Sequence, residues 1–130
     1  MAKILIVDDE PTILELFKYV FEDAGHEVTL AKNGRQALAA VTQNIPDFMV
    51  LDVTMPEMTG KEFVIELKKL ATRDRRLGNI PFVVMTGENT MDEGLNSVFA
   101  SASGFICFFP KMILPEKVLE KVAEVLKGRR

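Results

Sequence analysis

Carboxylate side chains follow two apolar runs of the sequence, and they are the residues best suited to carry chemistry. Asp8, Asp9 and Glu10 end the first run, and Asp52 ends a later one. If the two runs form neighbouring strands, their carboxylates share one crevice, where mutual repulsion raises their pKa values unless a cation relieves it. Magnesium suits such a site because it binds through one or two carboxylates and keeps several waters. We therefore predict a magnesium site, with Asp8 and Asp9 as the better metal ligands.

A hydroxyl and an ammonium group follow two further apolar runs. Thr86 ends the run Phe82–Thr86, and Lys111 comes shortly after Phe105–Phe109. A lysine ammonium suits one phosphate oxygen, and a threonine hydroxyl can donate to another. A carboxylate among a metal ion, a lysine and a hydroxyl has the groups that phosphoryl transfer requires. Because Asp52 is the most central carboxylate, we predict that it is the nucleophile.

Five short apolar runs predict the β-strands that must position these side chains. They are Lys3–Asp8, Glu27–Leu30, Phe48–Asp52, Phe82–Thr86 and Phe105–Phe109. Four of them are almost continuously apolar, which is typical of strands covered by helices on both faces. The second run alternates between apolar and polar residues, which favours a position at the edge of the sheet.

The segments that follow the five runs have the residue spacing of amphipathic helices. Their apolar stripes are Ile13, Phe17, Val20 and Ala24; Ala37, Leu38 and Val41; Phe63, Leu67, Leu70 and Ala71; Leu95, Val98, Phe99 and Ala102; and Val118, Val122, Val125 and Leu126. Thr59 with Glu62, and Thr90 with Glu93, predict capping boxes at two helix starts. Alternating strands and helices with short links predict an α/β fold with a doubly wound, parallel, open sheet.

The composition indicates one packed domain over residues 1–130, with a frayed tail or a linker stub at residues 127–130. Apolar residues make up 48% of the chain, which excludes a disordered body. A net charge of −3 gives no general attraction to nucleic acid. The single cysteine and the lack of a membrane span or secretory signal favour a reducing compartment. We expect a cytoplasmic protein with no membrane association and no direct nucleic-acid partner.

Taken together, these features resemble the receiver domain of two-component response regulators. The residues that carry the resemblance are Asp8, Asp9, Asp52 within LDVTMPEMTG, Thr86 within VVMTGEN, and Lys111. It extends over residues 4 to about 126, and the motifs are specific in combination. The resemblance implies a flavodoxin-like sheet with strand order 2-1-3-4-5. It also implies that a sensor histidine kinase or a phosphotransfer protein transfers a phosphoryl group to Asp52.

The resemblance also implies a metal site and a conformational switch. Asp9 and Asp52 would hold Mg²⁺, with Asp8 close to it and the backbone carbonyl of Thr54 as a further ligand. Thr86 would follow the phosphoryl group inward. The aromatic switch position would be Phe108.

The implied output is protein association rather than enzymatic turnover. In receivers, the fifth strand and its flanking fourth and fifth helices form the usual face for dimerisation or for docking an output partner. The apolar run FICFF lies in that strand. The chain would be a stand-alone receiver or the N-terminal piece of a longer regulator.

Three alternatives compete with a phosphorylated receiver. The family's lysine is normally followed by proline, whereas Met112 follows Lys111 here and Pro110 precedes it, which motivates a degenerate receiver that only binds proteins. An enzyme with an aspartyl intermediate, similar to the haloacid dehalogenases, would carry a second aspartate where Thr54 stands. Flavin binding on the same fold would require a phosphate loop after the first strand, where DDEP would repel a phosphate.

Overall fold

Five parallel strands form one sheet in the computed structural model, which describes residues 2–53, 58–87, 98–111 and 113–128. The strands are β1 (Lys3–Val7), β2 (Glu27–Ala31), β3 (Phe48–Asp52), β4 (Phe82–Thr86) and β5 (Phe105–Pro110). Their order is β2-β1-β3-β4-β5, which confirms the order implied by the resemblance. Every predicted strand is present, with bounds shifted by at most one residue.

Four helices and one short turn connect these strands in the described residues. The helices are α1 (Pro11–Asp23), α2 (Gly34–Gln43), α3 (Gly60–Ala71) and α4 (Pro115–Lys127), the last being the fifth helix predicted from sequence. A 3-10 turn, Arg75–Gly78, lies in the link between α3 and β4. Of the predicted fourth helix, residues 98–100 are helical, while Leu95 and the Thr90 and Glu93 pair lie outside the described residues.

Two apolar cores cover the two faces of the sheet, which confirms the doubly wound fold. One core packs α1 and α4 against the sheet, with Phe17, Phe21 and Val122 among its buried side chains. The other packs α2, α3 and the helical segment at 98–100 against the opposite face, with Phe63 and Phe99 buried there. The sheet is therefore covered by apolar packing on both of its faces.

The buried face of α1 differs from the predicted stripe. Leu14, Phe17 and Phe21 are buried, whereas Ala24 is exposed and caps the helix. The buried stripe lies beside the predicted one on the helix surface. Packing against the sheet and α4 decides which of the two is buried. Gly25 follows with a φ of 94°, a left-handed conformation that commonly ends a helix and that glycine adopts without strain.

The two edge strands differ in their exposure. β2 alternates exposed and half-buried residues, as its sequence predicted. β5 is apolar and only half-buried, and the side chain of Ile106 is 36% exposed. An apolar edge strand without charged protection is a surface suited to association.

The predicted capping box opens α3 close to the carboxyl end of β3. The Thr59 hydroxyl accepts a hydrogen bond from the Glu62 backbone N–H, and the Glu62 carboxylate accepts one from the Thr59 N–H. We expect Thr59→Ala to lower the free energy of unfolding by about 1 kcal/mol, because the Glu62 N–H loses the hydroxyl that accepts its hydrogen bond. Urea denaturation would measure the change. Thr42→Ala, on the exposed surface of α2, is the control, and an equal loss there would contradict the assignment.

Candidate functional site

The strand register brings the chemistry-bearing residues to one edge of the sheet. Val7 pairs with Leu51, so Asp8 and Asp52 end adjacent strands at the same level. On the other side, Thr86 pairs with Pro110, and Lys111 follows directly. Because the carboxyl ends of parallel strands meet at one edge, four side chains distant in sequence share one crevice.

The Lys111 ammonium lies at the centre of this crevice. Its Nζ is 2.7 Å from Asp52 Oδ2 and 3.2 Å from Asp8 Oδ2. A third carboxylate oxygen, Oε1 of Glu10, is 3.7 Å away. The Lys111 backbone N–H donates to the Thr86 carbonyl at 3.0 Å, which fixes the start of the lysine side chain at the end of β4. One cation therefore joins carboxylates from β1, β3 and the start of α1.

Burial and ion pairing act in opposite directions on the pKa values of Asp8 and Lys111. Asp8 is fully buried, and Asp52 and Thr86 are 2% and 3% exposed. Burial raises the pKa of Asp8 above its ordinary value, although the Glu10 N–H at 2.9 Å and the Lys111 charge oppose it. Burial alone would lower the pKa of Lys111, but hydrogen bonding and attraction to Asp52, and then to Asp8, outweigh it and raise that pKa. The ammonium therefore stays charged at neutral pH.

Close backbone packing holds the Asp52 strand end in place. Gly60, the first residue of α3, lies so near that a Cβ there would collide with the Asp52 carbonyl oxygen. Its N–H donates to the Val53 carbonyl at 3.0 Å. On the next helix, the Gly34 N–H donates to the Met58 carbonyl at 2.8 Å. The glycine at the start of α3 thus allows close approach to Val53, and the glycine at the start of α2 allows close approach to Met58.

An acidic group capable of binding a cation lies at the open side of the crevice. Asp8, Asp9 and Glu10 each offer a carboxylate oxygen, and these oxygens lie within 4.8 Å of one another. Oxygen donors from carboxylates are those that Mg²⁺ prefers. Lys111 links Asp52 to this group, because its ammonium contacts both Asp52 and Asp8. Thr54 lies outside the described residues. Glu10 was given no role from sequence, although its position directly after the aspartate pair was a signal for one.

The proposed switch residue Phe108 belongs to a cluster of phenylalanine rings. Its ring lies 5.0 Å from that of Phe105 and 5.9 Å from that of Phe99. The side chain is half-buried, so it is in contact with the core and also reaches the surface. A moving role for Phe108 stays a prediction. Met112, the departure from the family pattern, lies outside the described residues.

The sequence matches the response regulator receiver domain over residues 4–123. The chain belongs to the response regulator receiver family. This receiver is 32% identical to protein PilH of Pseudomonas aeruginosa over 128 residues, covering 98% of this chain and 100% of PilH. It is 30% identical to the response regulator SaeR of Staphylococcus aureus, covering 97% of this chain but 51% of SaeR. The receiver is therefore a signalling domain and not a classical enzyme.

Solved receiver structures share the fold closely. The chemotaxis protein CheY4 of Vibrio cholerae superposes with a TM-score of 0.80 and 33% identity, covering 96% of this chain and 98% of that one. The receiver domain of a histidine kinase from Syntrophus aciditrophicus gives a TM-score of 0.82 at 28% identity, covering 100% and 93%. None of the helices in the described residues has the length and apolar character needed to cross a bilayer.

Proposed function

We propose that this receiver accepts a phosphoryl group on Asp52 and that this modification changes which proteins it binds. The donor would be the phosphohistidine of a sensor kinase or of a phosphotransfer protein. The observation that carries the proposal is the Lys111 ammonium, which contacts the buried Asp8 and Asp52 carboxylates together. Beyond its role as an ion pair, an ammonium in this position suits the stabilisation of the further negative charge that a phosphoryl group brings to Asp52.

The transfer step follows from the chemistry of the carboxylate. An Asp52 carboxylate oxygen forms a bond to phosphorus while the phosphorus–nitrogen bond of the donor imidazole breaks. The electron pair of the broken bond remains on the imidazole nitrogen. The added phosphoryl oxygens would come within reach of the Lys111 ammonium, and the Thr86 hydroxyl would donate a hydrogen bond to one of them. New contacts of this kind favour one conformer over another, which is how phosphorylation shifts a population.

The donor set at the crevice fits Mg²⁺. Asp8, Asp9 and Asp52 would hold the ion, with Glu10 beside them and the Thr54 carbonyl as the further ligand that the family implies. When bound, the ion supplies positive charge that offsets the charge on the transferring phosphoryl oxygens. The chain's own contribution is to gather the carboxylates and to keep Lys111 among them.

Magnesium binding gives a prediction that does not depend on phosphorylation. We expect millimolar Mg²⁺ to raise the midpoint of thermal unfolding, because a ligand that binds the folded state alone stabilises it. Asp9→Asn should remove most of this response and also raise the midpoint in chelator, since one repelling carboxylate is gone. Scanning calorimetry with and without Mg²⁺ measures both effects. Asp23→Asn, at the end of α1, is the control, and an unchanged Mg²⁺ response in Asp9→Asn would contradict the metal assignment.

Phosphoryl uptake itself is tested by intact-mass spectrometry. The purified protein is incubated with acetyl phosphate, with Mg²⁺ or with chelator, and its mass is then measured. We expect one phosphoryl adduct that requires Mg²⁺. If no adduct forms with acetyl phosphate or with a phosphorylated donor protein, the proposal fails. A degenerate receiver that binds partners independently of phosphorylation would then become the leading hypothesis.

The half-buried β5 edge is the surface on which we expect the output. Together with α4 and the helical segment at 98–100, it forms the face where receivers commonly associate, and Ile106 is exposed on it. We expect phosphorylation to shift the sedimentation coefficient toward that of a dimer at micromolar concentration. Unphosphorylated protein at the same concentrations is the control. Identical sedimentation of both forms over a wide concentration range would exclude a homodimer and leave a different output partner.

A further inference from the structure

An apolar cleft lies on the opposite side of β4 from α1, away from the carboxylate crevice. Its volume is about 190 Å³, and it opens between α3 and the turn at residues 101–104. We call it the α3 cleft. Side chains that line it include Leu67, Ala71, Leu77, Phe82 and Ala102. None of its lining residues belongs to the proposed phosphorylation site, so the cleft is a separate feature of the molecule.

The floor of the α3 cleft is made of buried, closely packed side chains. Phe82 is 3% exposed, and its ring packs edge-on against Phe99 at 6.4 Å and Phe105 at 5.8 Å. Leu77, from the 3-10 turn, also lines the cleft and is 5% exposed. Gly104 lies so close to the Ile80 carbonyl oxygen that a Cβ at this position would collide with it. The lack of a side chain therefore allows the turn to approach the segment that leads into β4. A cleft bounded by such elements is preformed, which lowers the cost of filling it.

A single ammonium group is held at the mouth of the α3 cleft. Lys68 Nζ donates to Ser101 Oγ at 2.8 Å, and the Ser101 hydroxyl in turn donates to the Val98 carbonyl at 3.1 Å. A lysine has three N–H donors, so two remain for another acceptor. The next residue, Lys69, instead pairs with Glu66 at 3.1 Å. In the part of the chain that the structure describes, Lys68 forms no ion pair with a carboxylate.

We propose that the α3 cleft binds a small molecule with one ring and a carboxylate group. An apolar cavity of roughly 150 Å³ accepts a benzene ring, so the cleft has room for one ring and its substituent. The ring would lie over Phe82 between Leu67 and Ala102. The carboxylate would meet Lys68 at the mouth, in a charge-assisted hydrogen bond that the lysine makes without releasing Ser101.

The test uses benzoate as the probe and unphosphorylated protein in chelator. Benzoate is titrated while amide chemical shifts are recorded by NMR, and benzyl alcohol serves as the uncharged analogue. We expect saturable shifts centred on residues 64–71 and 101–104. Lys68→Met should weaken benzoate binding about tenfold, the loss of one charge-assisted contact. The matched variant Lys69→Met removes the same charge from the same helix and should change the affinity less than about twofold.

A second pair of variants tests the cleft by its shape. Ala102→Leu fills the space with apolar atoms and should abolish binding of both probes. Ala100→Leu places the same side chain on an exposed position of the same segment and should leave binding unchanged. Benzyl alcohol should bind wild type and Lys68→Met equally. Absence of saturable benzoate shifts, equal loss in the two lysine variants, or unchanged binding in Ala102→Leu would each overturn the proposal.

Discussion

Asp52→Asn is expected to abolish phosphoryl uptake, reducing the adduct formed from acetyl phosphate at least about a hundredfold. The neutral amide lacks the negative charge of the carboxylate, so its oxygen is a much weaker nucleophile toward phosphorus. We expect Asp8 not to replace it, because its Oδ1 already accepts the Glu10 N–H at 2.9 Å. Intact-mass spectrometry with acetyl phosphate and Mg²⁺ measures the adduct directly.

The control for Asp52→Asn is an aspartate at the other end of the same strand. Asp47 precedes β3, lies exposed at the amino edge of the sheet and accepts the Lys3 N–H at 2.8 Å. Asp47→Asn makes the same chemical change outside the crevice and should leave uptake unchanged. A persistent adduct in Asp52→Asn would place the acceptor elsewhere. Peptide mapping of the borohydride-reduced adduct would then distinguish Asp8 from Asp9.

The strands were predictable because their signals are local, whereas their order came from the family resemblance. Strands β3 and β4 are buried at every position, so their sequences had to be apolar throughout. Their last residues, Asp52 and Thr86, then stand out as polar groups at strand ends. Once the sheet is parallel, these ends meet at one edge regardless of the details of packing. The composition of the crevice therefore follows from short stretches of sequence.

The details that escaped prediction depend on contacts between distant segments. On α1, Ile13 and Leu14 are equally apolar, and only the neighbouring sheet and α4 decide that Leu14 is buried. Glu10 is one acid among many until Lys111 arrives from the other end of the chain at 3.7 Å. The α3 cleft likewise forms between α3, β4 and residues 101–104, none of which shows it alone.

Lys111→Met is expected to lower the free energy of unfolding by about 3 kcal/mol at neutral pH. Its ammonium is the cation between Asp8 and Asp52, and methionine would leave both buried carboxylates facing each other without it. Urea denaturation in chelator measures the loss. Lys117→Met, which removes a lysine exposed on α4, should cost less than about 0.5 kcal/mol. Equal losses in the two variants would show that the buried cluster contributes no more than a surface pair.

The pH dependence of Lys111→Met distinguishes charge from packing. In the folded wild type, the pKa of Asp8 already lies above its ordinary value because of burial, so the folded state takes up this proton before the unfolded chain does. Acidification therefore favours folding through Asp8. Removal of the Lys111 charge, which opposes the effect of burial, raises the pKa of Asp8 in the folded state still further above its pKa in the unfolded chain. The pKa of Lys111 is raised in the folded state. The stability that its charge contributes is therefore fully present at pH values below the ordinary lysine pKa, and it is lost only at strongly alkaline pH. We expect the variant to regain part of the lost stability, relative to wild type, as the pH is lowered from neutral toward the ordinary titration range of aspartate. A stability difference that does not change over this range would assign the loss to packing of the lysine side chain instead of to its charge.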